Sequence, residues 1–592
     1  MKQFFKFMFA SMLGFCLTII VLFFLLMAMF AAALSMGKKE IVIVPKNAIL
    51  HMAFDKPIRD RAPVTPDFTN FTKFSMEKNP GLDDILKNIK KAKEDDHIKG
   101  IYLDLSNLQA GFATIDEIRK ELLDFKESEK WIISYADYYT QASYYLASVA
   151  DNVYMNPMGI MIFKGLNAEL MFLKGTLDKL NIEPQIIRPE NNKFKSALEP
   201  FFLDKMSEAN RKQMTKLIFS LWDHVVAGIS ESRNISEKEL NEIADKLSVF
   251  KLNENAKEKK LIDGLLYKDE ILAELRNRLE LEEKEKIPFI KLTKYIAAKV
   301  DKGKRKYTRN KIAVVYALGS IGMGEGDDYT IGADRLSKAI RQARLDTNIR
   351  AIVLRVNSPG GDALASDIIL RELILAKKEK PVVASYGNVA ASGGYWISCH
   401  ADKIIADENT ITGSIGVFGF LPNLQGFYND KLGITFDNAA TNENAGFPSI
   451  NRKMTGYEAI VMQTFVESVY QKFLKYVSEA RNMTVEEVDE IAQGRVWSGT
   501  DAKEIGLIDD FGGLDDAIIL AAEMAEVEEY KILSLPKQKD PFQQIMDELM
   551  GKGAQSMIEK ELGVNYKYYH YIKDVSEMKG VQARLPFEIS IN

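Results

Sequence analysis

Cysteine is nearly absent: two in 592 residues. A disulfide framework is therefore excluded, and Cys16, inside an apolar N-terminal stretch, has no plausible bridge to Cys399. No cluster of Cys and His has zinc-ligand spacing, so no structural metal or cofactor is implied. Excess charge of one sign is missing too. Lys and Arg number 78 against 83 Asp and Glu, a net charge of −5, which gives no basic field for nucleic acid. The basic run Lys302–Lys306 is short and reads as solvated linker. Histidine is scarce, with five in the chain. Finally, no second long hydrophobic run follows the one at the N-terminus.

That first run extends from Met8 to Leu34 without a charge. It exceeds the ~20 residues a membrane-crossing helix needs and is longer than a usual signal-peptide apolar region. Ala31-Ala32-Ala33 leaves cleavage open as an alternative. Lys2 and Lys6 precede the run and Lys38 and Lys39 follow it, so basic residues alone do not orient it. The short charged start of a signal-like segment favours an N-inside, single-pass anchor in the cytoplasmic (inner) membrane, with the rest of the chain on the extracytoplasmic (periplasmic) side.

A chain of this length outgrows one hydrophobic core. An internal repeat supplies the division. At a constant offset of 251 residues, Ile89 meets Ile340, Ala92 meets Ala343, Asp95 meets Asp346, Ile98 meets Ile349 and Tyr144 meets Tyr395. A nearby offset sets Ala256-Lys257-Glu258 and Leu261-Ile262-Asp263 on Ala502-Lys503-Glu504 and Leu507-Ile508-Asp509. The expected organisation is an anchor over 1–40, a first copy over 41–280, a charge-rich linker over 281–310 and a second copy over 311–592. In the second copy, Ile312–Tyr316, Ile352–Val356 and Val382–Ser385 read as strands. Leu336, Ala339, Ile340 and Ala343 have helical spacing, and Ser366–Lys377 reads as another helix. This alternation predicts an α/β fold with largely parallel strands. The last fifty residues carry Tyr566, Tyr568, Tyr569 and Tyr571 but no motif.

Two glycine-rich turns follow strands of the second copy: Asn357-Ser358-Pro359-Gly360-Gly361 and Ala391-Ser392-Gly393-Gly394-Tyr395. Glycine lets backbone N–H groups approach a ligand closely. A serine opening a helix sits where unpaired N–H groups favour developing negative charge. A hydroxyl nucleophile beside two N–H donors is what acyl transfer requires. These turns resemble the peptidases of the ClpP/crotonase fold. With Thr412–Val417 and Gly494–Gly499 they resemble the signal peptide peptidase SppA (protease IV) family in its long, two-repeat form. The resemblance covers the anchor and both copies, and implies two tandem ClpP/crotonase-like domains. It makes Ser392 the nucleophile, and the amides of Gly361 (or Gly360) and Gly393 the oxyanion hole. It further implies a membrane-anchored serine endopeptidase, remnant signal peptides as substrates and a homotetramer.

The base is not a histidine by this reading. His400 stands eight residues past Ser392, about 12 Å along a helix axis. His51, His97, His224 and His570 have no accompanying motif. Asn192-Lys193-Phe194-Lys195-Ser196-Ala197 resembles the lysine motif of the long SppA proteins, which makes Lys195 the base and, by the same resemblance, Ser414 the residue that orients it. On the repeat alignment Gln141 stands opposite Ser392, and Leu108-Gln109-Ala110 opposite Pro359-Gly360-Gly361. The first copy lacks nucleophile and glycine turn; the second has Thr441–Phe447 where the lysine would lie. The defects are complementary, so one dyad split across two copies is expected, within one chain or between chains. Such a lysine must be neutral to accept a proton, and burial between the copies is the device expected for that. A crotonase-like acyl-CoA enzyme and an inactive membrane scaffold are the alternatives.

Overall fold

The computed structural model describes residues 2–36, 42–54, 56–62, 79–106, 108–298, 308–538 and 580–585. Its first element is a helix, Lys2–Met36. The window Gln3–Phe24 is apolar and fully exposed, and 35 residues rise about 50 Å, more than the ~30 Å of a bilayer's hydrocarbon core. Among the described residues it is the one helix long and apolar enough to cross a membrane.

Two parallel sheets follow, and they repeat each other strand for strand. The first has the order Gly264–Leu265, Asn152–Met155, Trp131–Ala136, Ile98–Asp104, Ala48–Ala53, Phe289–Lys291. The second places Asp510–Phe511, Lys403–Ala406, Val382–Ala391, Ile349–Ser358, Lys311–Leu318 and Lys531–Leu535 in the same order. It adds a branch in which Ile411–Gly413 pairs with Val382–Ala391 and, antiparallel, with Val496–Ser498. Helices cover these sheets with the faces their sequences predict. Leu82, Ile85, Leu86, Ile89 and Ala92 are buried on Leu82–Glu94, and Leu336, Ala339, Ile340 and Ala343 on Ala333–Leu345. Identical bonds lock both copies. The hydroxyl of Tyr144 donates to the Leu261 carbonyl at 2.7 Å and that of Tyr395 to Leu507 at 2.8 Å. Asp263 accepts from the Val153 amide and Asp509 from Ile404. The fold class is the one read from the sequence.

A third sheet stitches the copies together. Glu183–Ile187 of the first pairs antiparallel with Phe418–Asn423 of the second. Val581–Arg584 lies between Phe418–Asn423 and Gly360–Asp362, antiparallel to both.

One sequence expectation needs correction. The stretch 281–310 is not simply a linker, because Phe289–Lys291 completes the first sheet beside Ala48–Ala53 and Tyr295 is buried with its hydroxyl on Asp95. A three-residue strand embedded in charged sequence has too short a period to be recognised. The last fifty residues, which carry no motif, include the strand Val581–Arg584. The basic run Lys302–Lys306, Lys38 and Lys39, His570 and the four late tyrosines lie outside the described residues.

Candidate active site

Val382–Ala391 is a buried strand whose apolar start, Val382-Val383-Ala384, suits a sheet covered on both faces. It pairs in register with Ile349–Ser358 as far as Val356 opposite Tyr386, then skips, so that Ser358 faces Ala390. The chain turns sharply at Ser392, with φ +56° and ψ −115°, a conformation sparsely populated by non-glycine residues. The helix that Ser392 opens is a single turn, Gly393–Trp396. The Ser392 amide donates to the Gly413 carbonyl at 2.8 Å, and the Trp396 amide donates back to the Ser392 carbonyl. Its side chain is fully buried.

Lys195 reaches that hydroxyl from the first copy. It precedes a short 3-10 turn, Ser196–Leu198, and its side chain is 1% exposed. The amine lies 2.8 Å from Ser392 Oγ, 2.9 Å from Ser414 Oγ and 3.0 Å from the Ser414 carbonyl oxygen. All of these atoms belong to one chain, and among the described residues no carboxylate hydrogen-bonds the amine. Burial alone pushes the Lys195 ammonium well below the usual lysine range. Ser392 Oγ also lies 3.4 Å from the Gly416 carbonyl, to which it can donate. Among the described residues no histidine hydrogen-bonds to Ser392. His224 lies against Asp116, His51 against Asp104 and His97 against Asp95, while His400 packs on the Tyr476 ring.

The glycine turns meet beside the serine. Gly360 has φ +96°, and a Cβ there would fall 2.7 Å from the Gly393 nitrogen and 2.1 Å from the carbonyl oxygen of Ala583. A Cβ on Gly393 would come within 3.0 Å of the same oxygen. Only glycine leaves room for a peptide carbonyl between the two turns. The Gly360 amide donates to Ser358 Oγ at 3.2 Å, and the Leu585 amide donates to the Pro359 carbonyl at 2.7 Å. Leu585 is buried in an apolar pocket with Ala391, Ile411, Val496, Leu217 and Leu221.

The matching position in the first copy has become structural. Gln141, which stands opposite Ser392, accepts from the amides of Lys164 and Gly165 and donates to the Gly165 carbonyl. Gly165 is itself the counterpart of Gly416. Where the second copy has the Ser392 hydroxyl, the first has hydrogen bonds that fix a loop.

Three supports escaped the sequence reading. Gly494, with φ +78°, has no room for a side chain: a Cβ would lie 2.4 Å from Lys195 Cβ and 2.7 Å from its Cδ. The Gly494–Gly499 motif was visible, but nothing in sequence ties it to a lysine 299 residues away. Gln213 holds the lysine turn by donating to the Phe194 carbonyl and Ser196 Oγ while accepting from the Val496 amide. Asp60, in the first copy, hydrogen-bonds Arg355 and Asn357 in the second. Neither Gln213 nor Asp60 sits in a motif.

Known proteins share this organisation. The model of Peptidase family S49 matches residues 124–282 and 374–528. Protease 4 of Haemophilus influenzae is 34% identical over 560 residues, covering 92% of this chain and 90% of its own. Protease 4 of Salmonella typhi is 35% identical, with 79% of this chain and 76% of its own covered. The chloroplastic serine protease SPPA of Arabidopsis thaliana is 32% identical over 92% of this chain and 78% of its own.

Proposed function

Because the chain belongs to peptidase family S49 and is a serine peptidase, we propose that it cleaves peptide bonds with a Ser392–Lys195 dyad shared between its two copies. The observation that carries this reading is the 2.8 Å contact between Lys195 Nζ and Ser392 Oγ, at an amine that hydrogen-bonds no carboxylate among the described residues. A neutral amine has one lone pair and two hydrogens. The lone pair takes the Ser392 proton, and the hydrogens go to the Ser414 carbonyl and hydroxyl, which accounts for all three contacts.

Ser392 Oγ attacks the scissile carbonyl as its proton passes to Lys195. The oxyanion is received by the amides of Gly361 and Gly393; the Gly360 amide is committed to Ser358. Lys195 then protonates the leaving amine, and an acyl-enzyme remains. A water deprotonated by the same lysine releases the acid. Ser414 orients the amine throughout.

Substrates are extended apolar peptides, and remnant signal peptides fit that description. The strand Val581–Arg584 supports it: an extended backbone pairs with Gly360–Asp362 while Leu585 fills an apolar pocket. The N-terminal helix anchors the protein in the cytoplasmic membrane with both copies outside, and the assembly is a homotetramer. Fluorophosphonate labelling tests the chemistry: Ser392 is modified in the wild type and no label enters Ser392→Ala. Protease added to intact spheroplasts tests the orientation, since it should digest both copies. Their protection until the membrane is broken would refute it, and the elution volume of the detergent-solubilised protein tests the tetramer.

A further inference from the structure

The glycine turn at Gly360-Gly361 belongs to the second copy, yet the groups that hold its root come from the first. Asn357 precedes the turn. Its side-chain Nδ2 donates to Asp60 Oδ2 at 2.5 Å, and its side-chain Oδ1 accepts from the Val389 amide at 3.2 Å. Val389 lies three residues before Ser392, in the stretch where the two strands lose register between Val356 and Ser358. Asn357 therefore bridges the bulge that sets the glycine turn and the nucleophile side by side. Asp60 is 2% exposed, and its other oxygen accepts from Arg355 Nε at 2.5 Å. Arg355 is fully buried and also donates to Glu117 of the first copy, to Ser385 Oγ and to the Tyr386 carbonyl. Gly387 makes the approach possible, because a Cβ there would come within 3.0 Å of Asp60 Oδ1 and 3.1 Å of Asn357 Nδ2. On the far side of the bulge, Asn388 accepts from the Thr114 amide and donates to Thr114 Oγ1.

We infer that Asp60 is a positioning residue for the reaction: through Asn357 it fixes the spacing between the Gly360-Gly361 turn and Ser392, so that the first copy supplies the prop of the oxyanion hole as well as the base. The inference rests on the serine-peptidase reading above. A carboxylate suits the task because it accepts from Arg355 and Asn357 at once and places a negative charge beside the buried guanidinium. The bond acts on geometry at the reacting carbonyl and not on the lysine. A displacement of about 1 Å there costs on the order of 10²-fold in rate.

The test compares Asp60→Ala, Asp60→Asn, Asn357→Asp and the double exchange Asp60→Asn with Asn357→Asp in the full-length protein, using a fluorogenic apolar peptide. The single variants should lower kcat about 10- to 100-fold with KM within about 2-fold. The midpoint of the pH–rate profile should stay where the wild type has it, because Lys195 keeps its surroundings. The double exchange restores an amide–carboxylate pair with the roles reversed and should recover most of kcat. Wild-type kcat in Asp60→Ala would overturn the assignment. So would a double exchange that folds and is no more active than either single variant, or a shifted pH midpoint. Failure of the dyad itself would show differently, as activity retained in Ser392→Ala.

Discussion

Lys195 and Ser392 are separated by 197 residues in sequence and by 2.8 Å in space. Each belongs to a copy that lacks the other's contribution, and the strand pairing of Glu183–Ile187 with Phe418–Asn423 brings them together within one chain. In the proposed dyad, the two copies make a site that neither forms alone. Mixing purified Ser392→Ala with Lys195→Ala should therefore restore no activity. Recovery approaching a quarter or more of the wild-type rate would mean that the pair forms between chains.

Activity should rise with pH through a lysine midpoint well below the ordinary one, because the base works only when neutral and burial lowers its affinity for a proton. The same shift carries a stability cost. The folded pKa lies below the unfolded one, so between the two the unfolded chain binds the extra proton. Stability thus increases with pH across that window and is lost as pH falls toward the folded pKa. Lys195→Met should abolish turnover while raising the melting temperature at neutral pH. A lower melting temperature would show that the amine is held protonated and paired.

Substitutions around the lysine should rank by what they disturb. Gly494→Ala forces a Cβ into the Lys195 stem at a positive φ, and should cost about 10²-fold or more in kcat. Ser414→Ala removes one of the three amine contacts but leaves the Ser414 carbonyl in place. It should lower kcat less than Lys195→Ala does. Equal losses in Ser414→Ala and Lys195→Ala would give the hydroxyl a larger part than orientation.

The strand Val581–Arg584 lies where an extended peptide would meet the glycine turn, with the Ala583 carbonyl against Gly360 and Gly393. Deleting residues 580–592 should raise kcat/KM for peptide substrates, because they no longer displace it. Lost activity on deletion would make the strand a wall of the site.

Much of this was legible in sequence because it is periodic or motif-borne. The 251-residue repeat gave the duplication, and the paired glycine turns pointed at Ser392. The resemblance and the complementary gaps at Gln141 and Thr441–Phe447 pointed at Lys195, whose amine the fold sets beside Ser392. What sequence could not show depends on tertiary approach. Gly494 looks like any glycine until the Lys195 stem is laid across it. Asp60 acts through bonds to Arg355 and Asn357, 295 and 297 residues on, and Gln213 ties the lysine turn beside it to Val496, 283 residues on. Phe289–Lys291 was hidden because three residues make no period. The placement of Val581–Arg584 comes from pairing with two strands distant in the chain, which no local pattern encodes.

The most direct test of the split dyad is the reactivity of Ser392 in Lys195→Ala, measured by fluorophosphonate labelling and peptide turnover on protein whose melting curve shows it folded. With its base gone, the hydroxyl should label at a small fraction of the wild-type rate, and turnover should fall by about 10³-fold or more. Labelling and turnover near wild type would contradict the split dyad and require another base for Ser392.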